Sequence, residues 1–217
     1  MKHPVTTEEL ATPTQLREVN HLLPTEYLLV LQPHEELWNE VRSIKEKFAT
    51  DFDCEMARKG LPHITLIAFR QLQMTESRIT QRLINIAKAL SPFKVELKGF
   101  GSFPSHTIYI NITSKVQITD AVKALRAPQK FMKMDKDNKP HFIMDPHLTI
   151  ARKLLPWQYE KGWLEYEHKH FHGRFIADHV LLLKRKENNK AWQTAGRFMF
   201  ENIKLETKQG NLFAPIP

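Results

Sequence analysis

The chain has 217 residues, of which 41% are hydrophobic and 26% charged, proportions that are typical of a folded globular protein and exclude a disordered chain. No stretch approaches the roughly 18 apolar residues of a membrane span, no signal peptide is expected, and the single cysteine, Cys54, excludes an internal disulfide and favours a cytoplasmic location. A net charge of +8 favours an anionic partner such as a nucleic acid or a phosphate ester, although solubility alone explains it equally well.

Hydrophobic periodicity predicts strands and helices that alternate along the chain. Residues 1–24 are polar and are expected to form an N-terminal leader. In chain order, the pattern then predicts a strand at 26–31, a helix at 35–48, a strand at 61–69, a helix at 75–90, a strand pair at 93–100 and 106–113, a helix at 118–125, a loop at 128–141, a strand at 147–153, a helix at 156–167, and strands at 175–184 and 197–203.

The order of these elements predicts an α+β fold made of two similar lobes, each of antiparallel sheet plus helices. No glycine-rich linker separates the halves, so residues 25–205 are interpreted as a single bilobal domain with a C-terminal tail at 206–217. The lobes are placed at about 25–113 and 114–205, and an interleaved arrangement of the two is left open.

One short motif occurs twice, because residues 62–66 and 146–150 both have the pattern Pro-His-aliphatic-Thr-aliphatic. Successive side chains of a strand point to opposite faces, so His63 and Thr65 share one face and the aliphatic residues share the other. The same holds for the second copy, with its histidine at position 147 and its threonine at 149. A lone His-x-Thr is more often a hydrogen-bonded core histidine, but two copies at matching places in two similar halves indicate a functional site.

Two imidazoles that face one cleft suit paired acid and base catalysis near neutral pH. The neutral ring removes a proton from water or a hydroxyl, and the protonated ring gives one to the leaving oxygen. Thr65 and Thr149 can hydrogen-bond the non-bridging oxygens of a phosphate, so neither a metal ion nor another cofactor is expected. The sequence predicts phosphodiester chemistry and does not say which of His63 and His147 is the base.

Residues 63–66 and 147–150 resemble the paired signature of the two-histidine (2H) phosphoesterases, the LigT-like or 2′-5′ RNA ligase superfamily. The segment 95–110 is also similar to the part of that family that lies between the two motifs. The resemblance covers 26–203 and implies duplicated βαβ-type lobes around a central cleft, with one His-x-Thr strand from each lobe. It further implies that both histidines are catalytic and both threonines bind substrate. The implied activity is a 2′,3′-cyclic phosphodiesterase that acts on RNA or nucleotides and leaves a 2′-phosphate.

Three further residues are candidates for binding the substrate. Arg152 lies three residues beyond Thr149, so on a regular strand it faces away from the histidines, whereas a bulge or the strand end turns it toward the phosphate. Lys184 ends a predicted strand, and strand ends often line the rim of a cleft. Tyr109 is a candidate for stacking on a base, although an aromatic residue in a strand is more often part of the core.

Three other interpretations remain open. The same site would serve a 2′-5′ RNA ligase or a 2′-5′ phosphodiesterase, since forward and reverse reactions share one transition state. The fold would also suit an RNA- or nucleotide-binding module without turnover. Finally, His168, His170 and His172 alternate and would share one face of a strand as metal ligands, but the segment follows a charged helix and a solvated turn is expected instead.

Overall fold

The computed structural model describes residues 24–186, 189 and 191–203, so the predicted leader apart from Pro24 and the whole predicted tail lie outside the described residues. The helices in this part are α1 (Glu35–Asp51), α2 (Glu55–Lys59), α3 (Glu76–Ala89), α4 (Lys115–Leu125), α5 (Gln129–Met132) and α6 (Pro156–Tyr166). The strands are β1 (Pro24–Leu31), β2 (Ile64–Leu72), β3 (Phe93–Phe103), β4 (Thr107–Ile112), β5 (His141–Phe142), β6 (His147–Arg152), β7 (His172–Ala177), β8 (His179–Lys186) and β9 (Gln193–Met199).

The strands form one antiparallel sheet in the order β7-β3-β4-β6-β2-β1-β8-β9, and β5 pairs with β2 beside this path. The two motif strands, β2 and β6, are neighbours at the centre, and each has three further strands on its outer side. Strand β3 pairs with β7 and β4 pairs with β6, so the strand pairing crosses the predicted lobe boundary at residue 113. The two four-stranded halves are therefore interleaved in sequence.

One hydrophobic core lies between the helices and one face of the sheet. It contains side chains from helices α1, α3, α4 and α6 together with every second or third residue of the central strands. Ile64 and Leu148, which follow the two motif histidines, are completely buried in it. The opposite face of the two central strands carries partly exposed residues. No helix among the described residues is long and apolar enough to cross a membrane.

Helix α1 begins immediately after Pro33, and the Nδ1 atom of His34 accepts a hydrogen bond from the backbone N–H of Leu37 at 3.2 Å. This N-cap satisfies one of the free N–H groups of the first turn. One face of the helix, with the i, i+4 spacing of an amphipathic helix, is buried by Leu37, Val41 and Phe48. Lys45 lies on the same buried face, which brings a charged side chain into the core.

Two predicted elements are wrong. The predicted loop at 128–141 contains helix α5, and its last residue begins strand β5. The single strand predicted at 175–184 is two strands, since β7 pairs with β3 at one edge of the sheet while β8 pairs with β1 and β9 at the other. The break between the two strands falls at Asp178, where the sequence has neither the glycine nor the proline that would have indicated it.

Candidate active site

The two copies of the motif meet at the centre of the sheet. Ile64 pairs with Leu148 in antiparallel register. Continuing that register by one residue on either side places His63 opposite Thr149 and Thr65 opposite His147. The two histidines are then diagonal neighbours, with Cα atoms about 7–8 Å apart. The four polar residues are partly exposed between buried aliphatic neighbours, so they share the open face of the sheet.

Both imidazole rings are held in the same way by the backbone. The Nδ1 atom of His63 lies 2.8 Å from the carbonyl oxygen of Leu61, and Nδ1 of His147 lies 2.9 Å from the carbonyl oxygen of Asp145. Since a carbonyl only accepts, each Nδ1 carries the hydrogen and donates it. In the neutral ring, Nε2 is then the unprotonated nitrogen that is available for proton transfer. The motif therefore fixes both the orientation and the tautomer of each ring.

When positions are counted from the histidine of each motif as position 1, each motif strand also contains a β-bulge at position 4. On β2 the register passes from Thr65 opposite Val30 to Ile67 opposite Leu29, which leaves Leu66 as the extra residue. On β6 the extra residue is Ile150, because Thr149 lies opposite Tyr109 and Ala151 lies opposite Ile108. A bulge shifts the alternation of side chains by one residue, so the sixth residue of each motif returns to the open face.

Arg152 and Ala68 are the residues that these bulges turn to the open face. On β6, Ile150 and Ala151 are both buried and Arg152 is exposed, so the arginine lies on the side of His147 and Thr149. The expectation for a regular strand, that Arg152 faces away from the histidines, is therefore wrong, and the bulged alternative describes the strand. The matching position of the first motif is Ala68, so the cation is present in one copy only.

The surroundings of His63 disfavour a positive charge on its ring. Burial lowers the pKa of His63 most, and the charges of Lys45 and Arg152 lower it further, to about 4, although the hydrogen bond to Leu61 acts in the opposite direction. The ring is therefore neutral at pH 7. These two cations lie on the His63 side of the site, since Arg152 continues β6 beyond the residue opposite His63.

Aromatic side chains surround the other ring. The centroids of Phe103 and Tyr109 each lie 4.9 Å from the ring of His147, with Phe103 edge-on, and 4.8 Å from one another. Gly101 lies on the same face of β3, where an added Cβ would be 2.5 Å from Oδ1 of Asn111 and 2.6 Å from the ring of Tyr109. Only glycine leaves room for these side chains. Burial and the charge of Asp145 raise the pKa of Tyr109, while Lys115 lowers it, so its hydroxyl is neutral.

Lys184 is not brought to the histidines. Its Nζ lies 2.9 and 3.0 Å from the two carboxylate oxygens of Glu76, and it pairs in register with the buried Tyr27. Tyr27 packs in the core, so Lys184 lies on the helix-covered face of the sheet. The predicted place of Lys184 at the rim of the cleft is therefore wrong, because β8 continues to Lys186 and the side chain lies on the other face of the sheet.

In the histidine-rich segment, His168 and His170 lie in the connection between α6 and β7, and His172 is the first residue of β7, at the edge of the sheet. The side chain of His168 is 82% exposed, and His170 and His172 are also exposed. Within the described residues, no three His, Cys, Asp or Glu side chains are grouped so that they could hold a metal ion.

Two residues of the site were not found from the sequence. Phe103 is two residues after Gly101 on β3, so the two residues share the open face. The i, i+2 spacing of a strand could have placed Phe103 on that face. Lys45 is buried in α1, and its Nζ donates hydrogen bonds to the carbonyl oxygens of Thr149 and Ile150 on the second motif strand. The signal was its place four residues after Val41 on the apolar face of the helix.

Comparison with known proteins places this site in a family. Residues 33–189, which include both motifs, match the family model of the 2′-5′ RNA ligase superfamily. The chain belongs to this superfamily. It is 29% identical over 141 residues to a protein of Geobacillus thermodenitrificans that is provisionally named a phosphoesterase, an alignment that covers 64% of this chain and 78% of the relative.

Solved structures share the fold of this superfamily member. The LigT protein of E. coli, crystallised with 3′-AMP, matches with a TM-score of 0.56 at 13% identity over 82% of this chain and 98% of LigT. The TT0787 protein of Thermus thermophilus matches with a TM-score of 0.57 at 15% identity over 81% of this chain and 98% of that protein. The α+β fold with antiparallel sheet and helices, predicted as LigT-like, is confirmed.

Proposed function

We propose that this 2′-5′ RNA ligase superfamily member is a metal-independent phosphoesterase that opens a 2′,3′-cyclic phosphate on RNA or a nucleotide. The observation that carries the proposal is the pair of imidazoles on one open face of β2 and β6, each with Nδ1 bound to a backbone carbonyl. Both Nε2 atoms are thereby left for proton transfer. A binding module has no need for two opposed proton carriers, one of which is kept neutral.

In the proposed reaction His63 is the base and His147 is the acid. Nε2 of the neutral His63 accepts a proton from water while the water oxygen bonds to phosphorus. The P–O3′ bond breaks, and Nε2–H of protonated His147 gives its proton to the departing 3′ oxygen. The products are a 2′-phosphate and a 3′-hydroxyl. The assignment follows from the burial of His63 and, to a smaller extent, from the cations beside it, which together keep that ring unprotonated in advance.

The remaining open-face residues would bind the substrate. The hydroxyl groups of Thr65 and Thr149 donate to the non-bridging phosphate oxygens, and the guanidinium of Arg152 balances their charge. Tyr109 and Phe103 offer ring surfaces for a base or ribose. An anionic phosphate beside His63 raises the pKa of the ring, which strengthens it as a base when substrate is bound. The 3′-AMP complex of LigT is consistent with a nucleotide at such a site.

A second candidate activity is 2′-5′ ligation or cleavage of a 2′-5′ linkage at the same site, which the superfamily's name favours. It requires the same acid, base and phosphate donors, so the substrate decides between the two. We place either reaction in the cytoplasm, on the basis of the single, buried cysteine.

The test is a screen of 2′,3′-cyclic nucleotides, 2′-5′ oligoadenylate and ADP-ribose cyclic phosphate in excess EDTA. We expect turnover of the cyclic nucleotide to a 2′-phosphate that survives the chelator, because the chain itself supplies acid, base and hydroxyl donors. Activity lost in EDTA and restored by zinc or manganese would support the metal interpretation instead. Binding of nucleotide without turnover of any substrate would support the binding module.

A further inference from the structure

Lys45 is the only Lys, Arg, Asp or Glu among the described residues whose side chain is buried, being 4% exposed. Its Nζ reaches from α1 to the second motif strand, where it lies 3.0 Å from the carbonyl oxygen of Thr149 and 2.8 Å from that of Ile150. The end of its side chain packs beside Gly60, where an added Cβ would lie 3.4 Å from Nζ. The ammonium group is thus enclosed directly behind the active site.

The position of these hydrogen bonds coincides with the β-bulge. Ile150 is the extra residue of the bulge and has no partner in the ladder to β4. A buried carbonyl without a hydrogen-bond donor destabilises the fold, so a bulge in the core needs a donor from elsewhere. The ammonium of Lys45 provides it. The same bulge turns Arg152 to the face of the histidines, so the lysine supports the backbone that aims this arginine.

We propose that Lys45 is a positioning residue of the phosphoesterase site, holding the bulge that presents Thr149 and Arg152 to the phosphate and placing a fixed positive charge behind His63. This inference rests on the proposed function. It predicts effects on the pH profile as well as on turnover, because a charge acts on the proton affinity of its neighbours whereas packing alone does not.

The charged and titratable groups around Lys45 set the direction of these effects. Burial lowers the pKa of Lys45 to about 8, the charge of Arg152 acts in the same direction, and Cys54 opposes it. Lys45 is therefore charged at pH 7 and loses its proton as the pH rises through about 8. At pH 7 its charge and that of Arg152 both lower the pKa of His63.

The experiment is Lys45→Met, which keeps the length of the side chain but removes the charge and the donors, compared with Lys45→Arg, which keeps both. For Lys45→Met we expect kcat/KM for a 2′,3′-cyclic nucleotide to fall about 10- to 100-fold. We also expect the acid limb of the pH profile to move up by about half a pH unit or more, while Lys45→Arg restores the limb. Lys47→Met, on the exposed side of α1, is the matched control and should change neither.

An unchanged acid limb in a folded Lys45→Met protein would overturn the proposal, and so would an unchanged kcat/KM. Should this variant not fold, the ζ-nitrogen of Lys45 can be titrated by NMR in the wild-type chain. Loss of its proton accompanied by a fall in rate supports the role, and loss of its proton with an unchanged rate overturns it. Failure of the proposed function is distinct, since the wild-type chain would then show no turnover.

A second, independent observation is a cavity of about 400 Å³ on the open face of the sheet. It is lined by Glu96, Leu97, Lys98, Thr113, His172, Gly173 and Arg174. Lys98 pairs with His172 and Glu96 with Arg174, across β3 and β7. Val95 and Leu97, which alternate with Glu96 and Lys98 along β3, are buried in the core. The side chains of Glu96 and Lys98 and of their partners on β7 therefore project to the opposite face.

This cavity, the β3–β7 groove, lies on the same face as the histidines. Three strand spacings separate β7 from β6, or about 14 Å. The carboxylate of Glu96 is paired with Lys94 at 2.8 Å, and Lys98 and Arg174 add two positive charges to the lining of the groove. We infer that the β3–β7 groove binds a phosphate of the RNA chain on the 5′ side of the cyclic phosphate. The preferred substrate is then an oligoribonucleotide, which deepens the proposed function and rests on it.

The test compares a 2′,3′-cyclic mononucleotide with a short oligoribonucleotide that ends in the same cyclic phosphate. The double change Lys98→Ala and Arg174→Ala should raise KM for the oligomer about 10-fold and reduce its salt dependence, and should leave the mononucleotide unaffected. Lys123→Ala, on the exposed side of α4, is the control. Equal KM values for the two substrates in the wild-type chain, or equal effects of the double change on both, would overturn the groove while leaving the proposed function intact.

Discussion

The two motif strands agree in their backbone and differ in their surroundings. Each histidine donates from Nδ1 to the carbonyl two residues earlier, and each strand has a bulge at the fourth residue of the motif. Yet His63 has two cations beside it, whereas His147 has two aromatic rings. The repeated sequence thus explains how both rings are oriented, but not how they differ.

The difference originates in residues outside the repeat. The sixth position, counted from the histidine, is Ala68 in the first strand and Arg152 in the second. Lys45 on α1 donates hydrogen bonds to the second motif strand, and the described hydrogen bonds include no equivalent lysine contact with the first. A symmetric pair of histidines cannot assign acid and base roles by itself. In the proposed reaction, the burial of His63 and the cations beside it make that assignment.

The largest effect is expected from replacing the two motif histidines, which are the feature that both strands share. His63→Ala and His147→Ala should each lower the rate of cyclic phosphate hydrolysis by about 10² to 10⁴, the usual contribution of one positioned proton carrier. The double variant should lose less than the product of the two, because the rings act as a unit. His170→Ala, in the exposed segment, should not change the rate. A dispensable His63 or His147 combined with a damaging His170→Ala would make the repeat merely structural.

Removing the unsymmetric cation should have a smaller but more informative effect. We expect Arg152→Ala to lower kcat/KM about 10- to 100-fold, the range of a lost charge-assisted hydrogen bond. The acid limb of the pH profile should also move to higher pH, since the charge that lowers the pKa of His63 is gone. Lys161→Ala, on the surface of α6, is the control. A lower kcat/KM with an unchanged acid limb would mean that Arg152 binds the phosphate but does not lower the pKa of His63.

The smallest effect is expected for the threonines. Thr65→Val and Thr149→Val keep the shape of the side chain and remove the hydroxyl group, so each should reduce kcat about 5- to 10-fold with little change in KM. Measuring both variants compares the two strands directly. Losses that appear only in KM would mean that the hydroxyls bind the ground state and not the transition state.

The sequence was sufficient for the features that depend on periodicity. Alternation along β2 and β6 predicted that the histidines and threonines share a face, and the i, i+4 pattern predicted α1, α3 and α6. It was not sufficient for features that depend on a break in the period. The bulge at Ile150 has no glycine or other local signal, so the face of Arg152 stayed undecided. The break between β7 and β8 at Asp178 was missed for the same reason.

Tertiary contacts account for the other differences. Lys184 was predicted to end its strand, but β8 continues to Lys186. The face of Lys184 is set by the pairing of β8 with β1, which the sequence pattern alone does not define. Lysine is usually a surface residue. Lys45 is buried because its ammonium group donates hydrogen bonds to the bulge on β6, about 100 residues later in the chain. Such a residue is found only when its contact is known.

The most direct test of the division of roles is an NMR titration of the chain with ¹⁵N-labelled histidine, with His63 assigned from the spectrum of His63→Ala. We expect the His63 ring to be neutral with its proton on Nδ1 at pH 6 and to titrate with a midpoint near pH 4, and we expect added phosphate to move this titration to higher pH. A His63 ring that titrates at or above its ordinary value of about 6.5, or that carries its neutral proton on Nε2, would contradict it.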